Sequence, residues 1–403
     1  MPDSILAEIV SVAPPIRGSG QALLAHLRAR QPAMVDFLRR LALIETPSLC
    51  PETHGPAFDL LAAGLAREGF RVRRLRGKRS GGQLLAAPER RQRGRPAQLL
   101  LGHVDTVWPV GTLARMPVAL RDGRLSGPGV YDMKGGLTQI VFALAALREL
   151  GLEPPLTPVV CVTSDEEVFS FDSRRLIPRL ARRMERVFVL EPSLGPEGRL
   201  KTRRKGYGRY VVTVHGKAAH AGLDPDKGAS AILEMAHVIQ ALHGLGDPAR
   251  GIAVNVGTVH GGERANVIAP EARAEVGVRI LAAADREEIE SKIAALSPVV
   301  PGTRIEVAGA VDHPPLERTE RNQALFALAT AAAAELGIQL AEGTAGGGSD
   351  GNVTSLYTAT LDGLGAVGDG AHADHEFVYV DRLPERTALL AMLLLAPPAR
   401  RGA

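Results

Sequence analysis

Cysteine is scarce, with two residues among 403, Cys50 and Cys161, and that excludes both a disulfide-stapled fold and a cysteine-rich zinc module. Cys161 lies inside an apolar run and is expected to pack as a small hydrophobe, so a reducing, cytoplasmic setting is expected. Aromatic residues are only 4% of the chain, too few to build the stacking platforms on which bases are read. Arginines do cluster at 71–79 (RVRRLRGKR), 90–95 (RRQRGR) and 199–209. Without interleaved aromatics these runs read as solvated faces, and no nucleic-acid partner is expected. Net charge is small, 48 basic against 44 acidic groups, or +4. No apolar stretch reaches the roughly 18 uninterrupted residues of a membrane span, so no membrane association is expected. The first 45 residues hold Asp3, Glu8 and Arg17 without an apolar h-region, and no cleaved leader is expected.

What is present describes a folded globular chain: 45% hydrophobic, 23% charged, long enough for two or three domains at about 150 residues each. The N-terminal part reads as α/β. Helical patterning covers 21–44, with Pro32 as the expected break, and 56–68. Apolar runs at 97–102, 159–164 and 186–191 read as central parallel strands, and a helix is expected over 136–150. Near Gly206 the pattern changes to β-α-β-β-α-β, with strands at 210–214, 252–259, 272–280 and 304–307 and helices at 229–245 and 285–296. That order is the ferredoxin-like signature and reads as an insertion at 206–315. After Pro314-Pro315 the α/β pattern resumes with helices at 322–336 and 384–395 around a glycine-rich loop at 346–351.

The chemistry gathers where strands end. His103-Val-Asp105 puts two side chains on one side of the chain just past a strand, where open α/β sheets bind ligands. The plain alternative is a hydrogen-bonded surface pair. Asp132 stands in the glycine-rich loop 127–136 ahead of a helix, and it could serve simply as a turn residue. Asp165, Glu166 and Glu167 crowd the end of another buried strand, where repulsion and desolvation are unfavourable without a cation; a solvated acidic turn is the plain alternative. Glu191 ends a third. His103, Asp132, Glu167, Glu191 and a later histidine suit two divalent ions bridged by one carboxylate. His372 is the candidate for that histidine and His375 its local competitor.

The motifs GHVDTVWP (102–109), GPGVYDMKGG (127–136), TSDEE (163–167), LEPS (190–193) and GAHADHEFV (370–378) together resemble, in order, those of the co-catalytic zinc amidohydrolases. That family includes glutamate carboxypeptidase of the carboxypeptidase G type, acetylornithine deacetylase, succinyl-diaminopimelate desuccinylase and aminoacylase. The resemblance implies an α/β zinc-peptidase-like catalytic domain from residues 1–205 and 316–403, with a mostly parallel central sheet. Residues 206–315 would form an inserted ferredoxin-like lid and dimerisation domain. It further implies two zinc ions per chain, with cobalt or manganese as possible substitutes. His103 and Glu191 would bind one, Glu167 and His372 the other, and Asp132 would bridge them. Asp105 would orient His103. Glu166 would be the general base, taking a proton from water and passing it to the leaving amine.

His220 in GKAAHAG resembles the family histidine that reaches across a homodimer to the oxyanion. Asn266, Arg279 and Lys205 resemble residues that hold a substrate carboxylate, and Gly348 and Ser349 of the glycine loop join them. The implied reaction is hydrolysis of an N-acyl or peptidyl amide that releases a C-terminal amino acid, with N-acyl amino acid deacylation as the alternative. After the double glutamate the chain departs from many relatives, with Val168-Phe169-Ser170-Phe171 in place of small residues, which adds bulk beside the base. Ser349, Asp362 and His372 also fall in the order of a serine hydrolase triad, but residues 339–345 make a poor strand for the elbow that such a serine needs.

Overall fold

A computed structural model describes residues 19–90, 92 and 94–398. They form two compact units. The first comprises the chain up to Thr202, Arg318–Gly343 and the chain from Ser349 onward; the second comprises Arg203–Glu317 with Thr344–Gly348.

In the first unit the strand Ala97–His103 is buried at every position. Its alternate side chains enter different cores: Leu100 joins the larger one, and Leu99 and Leu101 the smaller. Thr157–Thr163 divides likewise, with Val160 and Val162 on one side and Val159 and Cys161 on the other. A strand covered on both faces has no solvent side to mark with polar residues, so these segments read as unbroken apolar runs. The six-stranded sheet has the order Phe70–Leu75, Gln83–Pro88, Thr157–Thr163, Ala97–His103, Arg186–Val189, Ala359–Leu361. The last three pairings are parallel and the first two antiparallel, which makes the sheet mixed. The two antiparallel strands at one side were not expected from sequence. Phe70–Leu75 is one of the two edge strands and turns Arg71, Arg73 and Arg74 to solvent, where charge discourages pairing with another chain.

The larger core is closed by helices including Ser19–Ala29, Gln31–Ala42, Gly135–Glu149 and Leu383–Leu395. The break expected at Pro32 is present: the first helix ends at Ala29, Arg30 stands between the segments, and Pro32 sits in the first turn of the second, where its missing N–H costs nothing. Helix Leu383–Leu395 is buried at every position but Glu385. Even Arg386 is buried, its guanidinium donating to the carbonyls of Gly365, Gly198 and Gly363 at 3.2, 3.0 and 2.6 Å.

The second unit is an antiparallel sheet of order Ala253–Gly261, Glu271–Ile280, Gly206–His215, Arg304–His313. In the unit's own numbering this is 2-3-1-4, the ferredoxin-like arrangement that the element order implied. Alternate residues Ala272, Ala274, Val276 and Val278 face a core shared with helices Ala231–His243 and Asp285–Ala294. No helix among the described residues is long and apolar enough to cross a membrane.

Candidate metal centre

The carboxyl ends of the parallel strands in the first unit bring the site together, as open α/β sheets dictate. His103 ends one strand. Glu166 and Glu167 begin the single turn that follows Thr157–Thr163, and Glu191 follows Arg186–Val189 by two residues. Asp132 lies in the loop before helix Gly135–Glu149, and His372 in the hairpin between Gly368–Asp369 and Phe377–Tyr379. The paired glycines after Asp132 have a steric purpose: a Cβ on Gly136 would fall 2.0 Å from the Leu190 carbonyl oxygen, so only glycine lets this helix start against the strand end that carries Glu191.

Two interlocking groups result. One ligand atom from each of His103, Asp132 and Glu191 lies within 4.8 Å of the others, and the same holds for Asp132, Glu167 and His372. Asp132 belongs to both. Its Oδ1 is 3.4 Å from His103 Nε2, and its Oδ2 is 3.5 Å from His372 Nε2. Glu191 Oε1 stands 3.3 Å from His103 Nε2, and Glu167 Oε2 3.1 Å from His372 Nε2. Among the described residues His375 enters neither group.

The donor set fits a pair of divalent cations. His103 Nε2 and Asp132 Oδ1 are buried yet make no hydrogen bond, which is unfavourable for polar atoms unless something binds them. Electrostatics point the same way. Burial alone would lower the His103 pKa, but the carboxylates of Asp105, Asp132 and Glu191 close to its ring hold it well above its usual value. Hydrogen bonds to Asp132 and then Glu167 raise His372 to about 10. Burial pushes Glu167 up to about 7, against the pull of His372, and burial with the charge of Glu191 holds Glu166 well above the carboxylate range. The pocket concentrates negative charge and draws in compensating positive charge. Nitrogen and oxygen donors without sulfur, three to a group, match a catalytic zinc-type site with open positions.

Asp105 supports more of this site than the sequence implied. His103 Nδ1 is 2.9 Å from the Asp105 backbone carbonyl and 3.5 Å from its carboxylate. That carboxylate also accepts the amides of Glu166 and Glu167 at 3.3 and 3.2 Å and the Ser48 hydroxyl at 2.8 Å. It therefore fixes the double glutamate as well as the histidine.

Ser48, Lys201, Asp350 and Glu376 were not singled out from sequence. Lys201 Nζ lies 4.0 Å from Glu191 Oε2. Asp350 accepts the Ser170 hydroxyl at 2.6 Å and is pushed up to about 7 by burial, with the charge of Asp165 adding to it. Of these, Glu376 lay inside the motif at 370–378 and Asp350 inside the glycine-rich loop at 346–351.

A short strand, Glu342–Ala345, does precede the glycine loop, but the loop builds no nucleophile elbow. Ser349 donates to Asp362 Oδ2 at 2.6 Å and accepts the Gly351 amide at 3.0 Å, capping the helix Asp350–Thr354. Serine bonds straight to aspartate, while His372 Nε2 lies with Glu167 and Asp132. The serine hydrolase alternative therefore lacks its base.

Lys205, His220, Asn266, Arg279 and Gly348 lie in the second unit. His220 is paired across a bridge with Val267, and the amide of Ala221 donates to the Asn266 carbonyl at 3.0 Å, so His220 and Asn266 stand on neighbouring segments. His220 Nδ1 accepts the amides of Gly222 and Leu223, both at 3.1 Å, which leaves the proton on Nε2. Arg279 stacks over Tyr207, whose ring lies 4.5 Å from that of His313. A Cβ on Gly348 would meet the same two rings at 2.9 and 3.0 Å. The two aromatic residues were not anticipated.

Residues 99–396 match the sequence family described as peptidase family M20/M25/M40. The chain belongs to that family. Its M20 relatives include carboxypeptidase G2 of Pseudomonas sp. strain RS-16, 30% identical over 376 residues, covering 91% of this chain and 89% of that one. Acetylornithine deacetylase of Salmonella arizonae is 30% identical over 312 residues, or 71% of this chain and 78% of the relative. Among solved structures, aminopeptidase PepT of Bacillus cereus superposes with a TM-score of 0.79 at 20% identity, covering 91% and 98% of the two chains. The Bacillus subtilis YXEP protein, described as a dinuclear metal-binding M20 peptidase, gives a TM-score of 0.67 at 16% identity, with 91% and 98% coverage. The M20 fold, metallohydrolase class and dinuclear site thus agree with the motif order.

Proposed function

We propose that this M20 enzyme hydrolyses an amide that joins an acyl or peptidyl group to a C-terminal amino acid, as a glutamate-type carboxypeptidase. The observation that carries the reading is the sharing of Asp132 between two ligand groups, with Glu166 left outside both. In this reading His103, Glu191 and Asp132 hold one zinc ion, and Asp132, Glu167 and His372 the other. Bound ions of this kind polarise a carbonyl and make water more acidic.

Glu166, with an oxygen 3.9 Å from His103 Nε2, then removes the proton of the attacking water and returns it to the leaving amine. Asp105 keeps that glutamate turned inward through the amides it accepts. Within the second unit, Arg279, Asn266 and Lys205, with the backbone of Gly348, would hold the substrate carboxylate. His220, with its Nε2 proton, would donate to the developing oxyanion from the partner of a homodimer. Support for the dimer comes from the edge strand Ala253–Gly261, mostly exposed, and from Leu223, Ile232, Leu233 and Val259, apolar and exposed in the same unit. The first unit is thereby the catalytic domain and the second the lid and dimerisation domain. Two free thiols suit a reducing, cytoplasmic setting.

Similarity to carboxypeptidase G2 over nearly the whole of both chains supports release of a C-terminal amino acid. Similarity to acetylornithine deacetylase supports N-acyl amino acid deacylation as the second reading. A panel of acyl glutamates, dipeptides and N-acetyl amino acids, assayed with and without chelator, separates them. Chelator-sensitive release of glutamate from aroyl or peptidyl substrates is expected; turnover confined to N-acetyl amino acids would select the second reading.

A further inference from the structure

Glu376 is fully buried, and its carboxylate collects four N–H donors. Trp108 Nε1 and the Gly129 amide donate to Oε2 at 3.0 and 2.8 Å; the amides of Tyr131 and Asp132 donate to Oε1 at 2.9 and 3.0 Å. Burial pushes the Glu376 pKa up, while the backbone donors pull it down, and in all four contacts the carboxyl group acts as acceptor. The donors come from segments far apart in sequence, each next to a candidate metal ligand. Trp108 stands five residues past His103 on the chain that leaves its strand. Gly129, Tyr131 and Asp132 form the loop of the shared aspartate. Glu376 itself closes the hairpin of His372.

The backbone repeats the connection. Phe377 pairs with Ser126 across a small sheet, and the Gly127 amide donates to the Glu376 carbonyl at 3.3 Å. Gly370, at φ +82, could not carry a side chain, because its Cβ would lie 2.9 Å from the Glu376 main chain. The Asp132 and His372 loops are thus locked together around one buried carboxyl group.

We infer that Glu376 is a positioning residue that sets the Asp132 loop against the His372 hairpin and so fixes the spacing of the two metal positions. The inference rests on the dinuclear reading above. Glu376 touches no metal in this account; it acts through the backbone of Asp132 and through its own hairpin. A glutamine in its place keeps the shape but turns an NH₂ group toward two N–H donors, so half of the interactions become repulsive.

The test is a titration of metal-free protein with Co²⁺ alone, followed by its visible absorption, on wild type, Glu376→Gln and Trp108→Phe. Circular dichroism on each metal-free variant checks the fold. Wild type is expected to take two ions. Folded Glu376→Gln is expected to bind at least one of them roughly 10- to 100-fold more weakly, with an altered absorption band, the usual scale for losing a group that orients a ligand. Wild-type affinity and spectrum in folded Glu376→Gln would overturn the inference while leaving the dinuclear reading intact. A wild type that binds no Co²⁺ would remove that reading instead. If Glu376→Gln does not fold, Trp108→Phe decides, since it deletes one donor and leaves the three amides. A several-fold weakening there supports the inference, and unchanged affinity overturns it.

Discussion

Glu166 and Glu167 are neighbours with different assignments, and the difference is geometric. Glu167 Oε2 meets His372, whereas Glu166 has its closest imidazole, His103, at 3.9 Å. Replacing Glu166 with alanine is therefore expected to leave two metal ions bound while lowering kcat by about 10²- to 10⁴-fold, the range for a proton-transfer group. Metal analysis and steady-state kinetics on the same preparation check both halves. Ser349 makes the opposite case. Ser349→Ala deletes the helix cap and the bond to Asp362, so a stability loss of about 1–2 kcal/mol is expected in thermal unfolding. Its kcat is expected to stay within about tenfold of wild type, far from the loss of a nucleophile. Three candidate ligands, His103, Glu167 and Glu191, were legible because each ends or follows an apolar run, whereas Asp132 and His372 stand in a glycine-rich loop and a polar hairpin and were picked out by motif order. Ser48, Asp350 and Glu376 were not legible, because their partners (the Asp105 carboxylate for Ser48, hydroxyls for Asp350, N–H groups for Glu376) come from distant segments, which no local spacing encodes.

At the level of elements, burial on both faces made Ala97–His103, Thr157–Thr163 and Arg186–Val189 readable. Phe70–Leu75 was hidden by its arginines, since an edge strand with one solvated side carries a mixed pattern. The closing helix was found from its leucines, yet the way it is pinned was not. Arg386 binds three carbonyls from the loops before it, and Arg186 donates to those of Leu393 and Ala396 at the helix end. Arg386→Met would keep much of the volume and strand those carbonyls. A loss of about 2–4 kcal/mol is expected, read as a lower denaturation midpoint without a change in slope.

For the whole molecule, the β-α-β-β-α-β order read from sequence corresponds to a unit of its own, because its alternating strands and paired helices satisfy one another around a separate core. If His220 acts across a homodimer, two inactive variants complement each other. Mixed and reassociated Glu166→Ala and His220→Ala chains are expected to recover about a quarter of wild-type activity, since half of the random dimers are mixed and each of those holds one complete site. Failure to recover activity, with exchange verified by mass, would confine His220 to its own chain. The most direct test of the central claim is a zinc-edge anomalous map of the metal-replete crystal. Two peaks are expected, one among His103, Asp132 and Glu191 and one among Asp132, Glu167 and His372. A single peak, or none at these side chains, would contradict the account.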